Sequence, residues 1–379
     1  MKLAVYTCSL PEYGIEEAAR LIKEMGYEGV EWRVDVTEGE SPLKAMFAKM
    51  PEEQKYAFRY WTDNHATLNV DDIMNECLRA KAICDEEGIE IVNLATTLKG
   101  KPEEMENTIA AAAAIGCKSV RGPMATYDPS RPYWEQFNEY RDYLRSCEPL
   151  LRKYGVKFLI ETHHGMMISS ASSALRVLDG FDPEYFGLIY DPGNMVYEGY
   201  ENYQLGFEML GKYLAHVHVK NAVLAPGGED EFGATKYNQV WAPMKKGSAN
   251  LAAMIKALAK VGYDGWLSVE DFSNEKPTRE KLEEERRLAY VAFTRAKDKL
   301  FLSDAAGNNY DGTARCPSRF LFNAEKENVE YVVELDPALI DEAIHQISRT
   351  ESLERRPEKK PDLSLIHISE PTRPRLISY

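Results

Sequence analysis

A phrase of three parts recurs through most of the chain: an amphipathic helical stretch, a glycine, then a short β-rich run. It is clearest in "AARLIKEMGYEGVEWRV", where the neighbouring Ile15 and then Ala18, Ala19, Ile22 and Met25 fall at helical spacing and Gly26 marks the stop. A glycine suits that place because a helix often ends on a left-handed residue, where a side chain is strained. The phrase returns as "AKAICDEEGIEIVNLA", "AAAAIGCKSVRGPM", "LLRKYGVKFLIETHH" and "IKALAKVGYDGWLSVED". With "KLAVYTCS", "FGLIYDPGN" and "LAHVHVKN" added, eight strands are predicted. Helix and strand alternating in this way imply parallel strands joined by helical crossovers.

Eight such units point to an α/β chain closed as a (β/α)8 TIM barrel more than to an open sheet. Side-chain alternation supports closure. In "AHVHVK", Ala215, Val217 and Val219 share one face, and His216, His218 and Lys220 share the other. In "FLIETH", Phe158, Ile160 and Thr162 alternate with Leu159, Glu161 and His163. An open sheet covered by helices on both sides requires two apolar faces. A barrel requires one, with polar groups gathering toward the C-terminal strand ends.

Composition narrows the class. Lys and Arg total 46 against 61 Asp and Glu, a formal charge of −15, which repels phosphate backbones and argues against a nucleic-acid partner. No apolar run is long enough to span a bilayer, so no membrane partner is expected. The opening "MKLAVYTCSLPEYG" passes directly into a strand without the apolar core of a signal peptide, and the six scattered cysteines include no CxxC pair. Both features predict a cytoplasmic protein with reduced thiols.

Four residues stand at the C-terminal ends of four successive predicted strands: Glu161 in "LIETHH", Asp191 in "LIYDPGN", His218 in "HVHVKN" and Glu270 in "LSVED". Singly each reads as a rim carboxylate or a core histidine. Together, carboxylates with one imidazole suit a divalent ion such as Mn²⁺, Mg²⁺, Co²⁺ or Zn²⁺.

Residues 1–282, through "GYEGVEWR", "LIETHHG", "YDPGN", "HVHVKN" and "GYDGWLSVED", resemble the sugar phosphate isomerase/epimerase family with a xylose-isomerase-like barrel. The resemblance implies that Glu161, Asp191, His218 and Glu270 hold one divalent ion, and that Glu161 and Glu270 also serve as acid and base. It further implies a small carbohydrate substrate and epimerisation or isomerisation through an enediolate. A hydride shift and a dehydration similar to that of inosose dehydratases remain open on the same metal site, as does a homo-oligomer. By alternation His163, Lys220, Glu31, Arg33, Arg121 and Tyr6 face inward; the first five are expected to bind substrate, and His164 to point away. Residues 222–249 read as a long insertion, a lid or a disordered loop, with Trp241 as a substrate-covering anchor. Endonuclease-IV-like DNA-repair barrels share the superfamily but hold three zinc ions. The five histidines of the barrel section (His65, His163, His164, His216, His218), with Asn194 where related enzymes often have a second His, do not suit that site.

From Glu283 the character changes. "EERRLAYVAFTRAKDKLFLSD" resembles the sixth conserved motif of UvrD-like DNA helicases, and the resemblance runs to about Ser348. In that family the arginine matching Arg295 reaches the ATP γ-phosphate. The chain has no GxxxxGK[ST] phosphate loop for it to serve, so no ATPase activity is expected. "LSLIHISEPTRP" (363–374) resembles a translated sequencing-adapter read-through. The expected organisation is therefore chimeric: a barrel over 1–282, a foreign, poorly packed helicase-like fragment over 283–348, and a disordered or artefactual tail over 349–379. A barrel also needs a last helix outside its eighth strand, and Leu282, Leu288, Ala289, Ala292 and Phe293 offer an apolar stripe for it.

Overall fold

The structure is a computed structural model that describes residues 1–37, 47–96, 102–293, 329–331 and 366–368. The chain divides into two compact units, Met1–Ala292 and Phe293–Tyr379.

The first unit is a closed barrel of eight parallel strands: β1 (Lys2–Tyr6), β2 (Gly29–Asp35), β4 (Glu90–Thr96), β5 (Ser119–Arg121), β6 (Lys157–Glu161), β7 (Phe186–Tyr190), β8 (Leu214–Val219) and β11 (Trp266–Val269). Each pairs with its sequence neighbour in the barrel, and the ring closes where Lys2 to Val5 of β1 pair with Trp266 to Val269 of β11. A short strand not expected from the sequence, β3 (Thr67–Asn69), pairs with Arg33–Asp35 of β2 and continues the edge that β1 leaves at Tyr6.

Helix α1 (Ile15–Glu24) shows how the repeated phrase works. Ile15, Ala18, Ala19, Ile22 and the following Met25 are all buried, and Gly26 turns the chain at φ +79°. The helices α2 (Glu52–Thr62), α3 (Ile73–Glu87), α4 (Pro102–Ala114), α5 (Tyr133–Tyr154), α6 (Ala171–Leu178), α7 (Pro192–Glu198), α8 (Tyr203–Leu210) and α9 (Leu251–Lys260) complete the outer layer.

Strand alternation places apolar residues toward these helices and polar ones inside. Glu31, Asn93, His216, His218 and Ser268 are buried within the ring. His216 Nε2 lies 2.9 Å from both Glu31 Oε2 and Ser268 Oγ, and Asn93 Nδ2 donates to Glu31 Oε1 at 2.9 Å. A buried carboxylate persists only with such donors around it.

Most of the insertion at 222–249 is regular structure, and its end, 242–249, is loop. The rest forms an antiparallel ribbon, β9 (Ala222–Glu229) with β10 (Thr235–Trp241), turning at Gly233 (φ +82°).

A last helix, α10 (Thr278–Phe293), covers the barrel end. Tyr27 Oη donates to the Leu282 carbonyl at 2.9 Å, Thr278 Oγ1 to Glu12 Oε2 at 2.9 Å, and Lys281 Nζ to the Asp271 and Ser273 carbonyls at 2.9 and 3.0 Å. Leu282 and Glu285 are buried; the side chains of Leu288, Ala289, Ala292 and Phe293, also expected in the apolar stripe, lie outside the described residues. Arg295 lies outside them too. In the second unit β12 (Val329–Tyr331) pairs antiparallel with β13 (Ile366–Ile368), the latter inside the segment expected to be disordered.

Candidate metal centre at the barrel mouth

Glu161 ends β6, Asp191 follows β7, His218 is the penultimate residue of β8 and Glu270 follows β11. Parallel strands in register bring these four ends to one rim. One ligand atom from each falls within 4.8 Å of the others, and all four side chains are buried.

His218 organises the cluster. Its Nε2 lies 3.2 Å from each Glu31 oxygen, so the tautomer protonated there donates downward to Glu31. Its Nδ1 faces upward, 3.4 Å from Glu161 Oε1 and 3.6 Å from both Asp191 Oδ2 and Glu270 Oε2. Tyr6 stacks on the imidazole, with centroids 5.5 Å apart and planes 17° from parallel.

Each carboxylate has its own partner. Arg121 Nη1 donates to Glu161 Oε2 at 2.6 Å and is itself held by the Thr96 carbonyl at 3.1 Å. Asp191 caps α7 through Oδ1, which accepts from Asn194 N at 2.8 Å, while Asn194 Nδ2 donates to its Oδ2 at 2.8 Å. Lys220 Nζ sits 3.1 Å from Asp191 Oδ2 and 2.8 Å from Glu270 Oε2.

These partners separate the acidities. Burial opposes ionisation of Glu161, yet Arg121 and His218 hold its carboxyl well below the usual range. Burial pushes Glu270 up to about 7, only partly offset by Lys220 and His218. Burial likewise opposes the charged forms of Asp191 and His218, but Lys220 keeps Asp191 low and Glu31 raises His218 well above its ordinary value.

The residues fit a divalent cation on two counts. His218 Nδ1 is buried without a hydrogen-bond partner although three carboxylates face it. Four buried carboxyl groups (Glu31, Glu161, Asp191, Glu270) meet two fixed cations, Arg121 and Lys220, so the remaining negative charge is balanced by protons or by a bound cation. Burial of unpaired charge is costly, and hard oxygen donors with one imidazole suit a small dication.

The other predicted residues divide. Lys220 is no solvated rim residue: it is 3% exposed, with its ammonium 4.6 Å from the Trp241 ring centre and 5.0 Å from that of Phe272. Trp241 ends the ribbon at the cluster's edge, near His164, Tyr197 and Phe272. Glu31 lies beneath His218, with both oxygens engaged by His216, His218 and Asn93. Arg33 is engaged by Asp35, by Thr67 Oγ1 at 2.9 Å and by the Trp61 carbonyl at 3.2 Å. His163 Nδ1 donates to the His164 carbonyl at 2.7 Å, and the two rings stack at 4.4 Å.

His164 corrects the expectation that it points away from the mouth. Its Nδ1 donates to Asn194 Oδ1 at 2.9 Å, because β6 ends at Glu161 and strand alternation does not reach residue 164. Asn194 was missed as a site residue. The Asp-Pro-Gly-Asn turn carried the signal: a capping Asp folds the third helical residue back onto its own carboxylate.

The chain matches the xylose isomerase-like TIM barrel family over residues 19–289, well over half its length, and belongs to that family. It is 23% identical over 274 residues to an inosose dehydratase of Mesomycoplasma hyopneumoniae, a match covering 69% of this chain and 83% of the relative. Matches to inosose dehydratases of other strains of that species span about half of those proteins, 53%. Among solved structures, apo 3-keto-D-glucoside 4-epimerase, YcjR, from E. coli superposes with a TM-score of 0.54 at 17% identity, covering 77% of this chain and 99% of that one. The IOLI protein with a bound zinc atom gives 0.51 at 17% identity, covering 77% and 98%.

Proposed function

We propose that this chain is a divalent-metal-dependent isomerase or epimerase of a sugar, sugar phosphate or related polyol, working by proton transfer next to a carbonyl. The observation that carries this reading is the placement of two buried glutamates, Glu161 and Glu270, around one centre with Asp191 and His218. Two carboxyl groups that face one reacting carbon can divide the roles of base and acid. Glu161, kept ionised by Arg121, takes the proton from the carbon beside the carbonyl and leaves an enediolate. Glu270 serves as the partner that returns a proton to that carbon, and return on the opposite face inverts it. A divalent ion held by Glu161, Asp191, His218 and Glu270 supplies Lewis-acid stabilisation of the charge that develops on the substrate oxygens. Lys220, Trp241 and His163 border the cluster and bind substrate in this reading, and Arg121 acts by holding Glu161.

The likeness to inosose dehydratases favours a second outcome of the same first step. Loss of a hydroxyl from the neighbouring carbon, with Glu270 giving the leaving oxygen its proton, yields dehydration. A panel of ketoses and inososes assayed with Mn²⁺ in D₂O separates the two: solvent deuterium in a product of unchanged mass class indicates epimerisation or isomerisation, and loss of water indicates dehydration. Glu161→Gln and Glu270→Gln are expected to lower turnover at least about 100-fold. Full activity in both variants, or metal-independent turnover, would sink the mechanism.

We read residues 283–348 as a fragment of helicase origin with no ATPase activity, and 363–374 as adapter-derived. Amplification of genomic DNA across the codons for residues 275–300 tests whether the junction is real.

A further inference from the structure

Lys220 uses the same oxygens that the proposed ion would use. Asp191 Oδ2 and Glu270 Oε2 are the atoms that face His218 Nδ1, each at 3.6 Å, and they are also the atoms that approach Lys220 Nζ at 3.1 and 2.8 Å. The ammonium has little room to withdraw. Trp241 and Phe272 lie over it, and the Lys220 stem packs so closely on the first turn of α7 that a Cβ at Gly193 would come within 2.6 Å of Lys220 Cγ. An oxygen shared with an ammonium gives less charge to a metal, and a fixed positive charge at this range repels a dication in a poorly screened interior.

We propose that Lys220 is a resident counter-cation that competes with the divalent ion for Asp191 and Glu270, and so sets how tightly the centre holds it. This rests on the metal-centre reading above. With no ion bound, Lys220 relieves the repulsion among the buried carboxylates. With the ion bound, it weakens that binding. Lys220 is thus a positioning residue whose removal strengthens metal binding, whereas removal of a ligand weakens it.

The test is a calorimetric Mn²⁺ titration of the full chain as wild type, Lys220→Met, Lys220→Gln and Lys220→Arg, with thermal melts of each. The two neutral variants are expected to bind Mn²⁺ about tenfold or more tightly than wild type, and Lys220→Arg within about threefold of it. Their melting temperatures without metal should be lower than wild type and should rise more when Mn²⁺ is added. Binding by the neutral variants alone would also support the proposal. Wild-type binding with equal or weaker binding in both neutral variants overturns the role of Lys220 and leaves the metal centre standing. Absence of binding in all four folded proteins overturns both readings. Failure of both neutral variants to fold even with Mn²⁺ overturns the competitor role, because the ion should then replace the missing charge.

Discussion

Glu31 and Lys220 flank the same cluster of Glu161, Asp191, His218 and Glu270, and in the proposed metal centre they should shift metal affinity in opposite directions. Glu31 fixes the His218 tautomer by accepting from Nε2, which leaves Nδ1 as the donor atom. In Glu31→Gln the carboxylate that serves His216, His218 and Asn93 is lost, and an amide cannot accept from all three. Mn²⁺ affinity is expected to fall about 10- to 100-fold, as for other groups that orient a metal-binding histidine. Titration of this variant beside Lys220→Met checks the contrast. The gathering of Glu161, Asp191, His218 and Glu270 at one rim was legible in the sequence, because alternation and the end of each strand could be read directly. Alternation also said that Glu31 faces inward. It did not say how deep, since depth depends on the stagger of strands around the ring, which no single strand records.

Elements built on the helix–glycine–strand phrase were legible, because burial of one helical face and a left-handed glycine leave a local signature. The ribbon β9–β10 was not. Most of its residues are exposed, so it lacks an apolar-polar alternation, and Pro226, Gly227 and Gly228 within β9 weaken a strand reading. Helix α10 was expected from the need to cover the barrel, but its fit has a cost invisible in sequence. Glu285 is buried at a cavity of about 390 Å³ lined by Val219, Met244, Ile255 and Leu267, and its Oε2 has no hydrogen-bond partner. Burial, with Asp271 adding to it, pushes this carboxyl up from 4.5 to about 8. For an acid whose folded pKa is raised, the unfolded chain releases the proton first. Stability is therefore intact below about pH 4.5 and lost as pH rises toward about 8, by on the order of 5 kcal/mol in all. Glu285→Gln should flatten that decline, seen as the difference between the wild-type and variant melting curves from pH 4.5 to 8.5.

At the scale of the molecule, the first compact unit ends at Ala292, and contacts that hold α10 to the barrel run from Thr278 to Glu285, all within that unit. A chain ended after Phe293 should keep the melting temperature of the barrel within about 3 °C and keep its turnover, measured by calorimetry and the substrate panel; a shift of more than that would show that the remainder supports the barrel. The barrel itself was legible as a count of units. The strand pairing in the second unit was not, because Val329–Tyr331 and Ile366–Ile368 lie far apart in sequence. Closure has a further consequence in time. Lys2 pairs with Trp266, so one edge of the first strand made must wait for the last to leave the ribosome. At ordinary rates of synthesis that wait is on the order of tens of seconds. Throughout it β1 presents open N–H and C=O groups, and a chaperone that shields this edge would raise the yield of closed barrels without touching the finished enzyme.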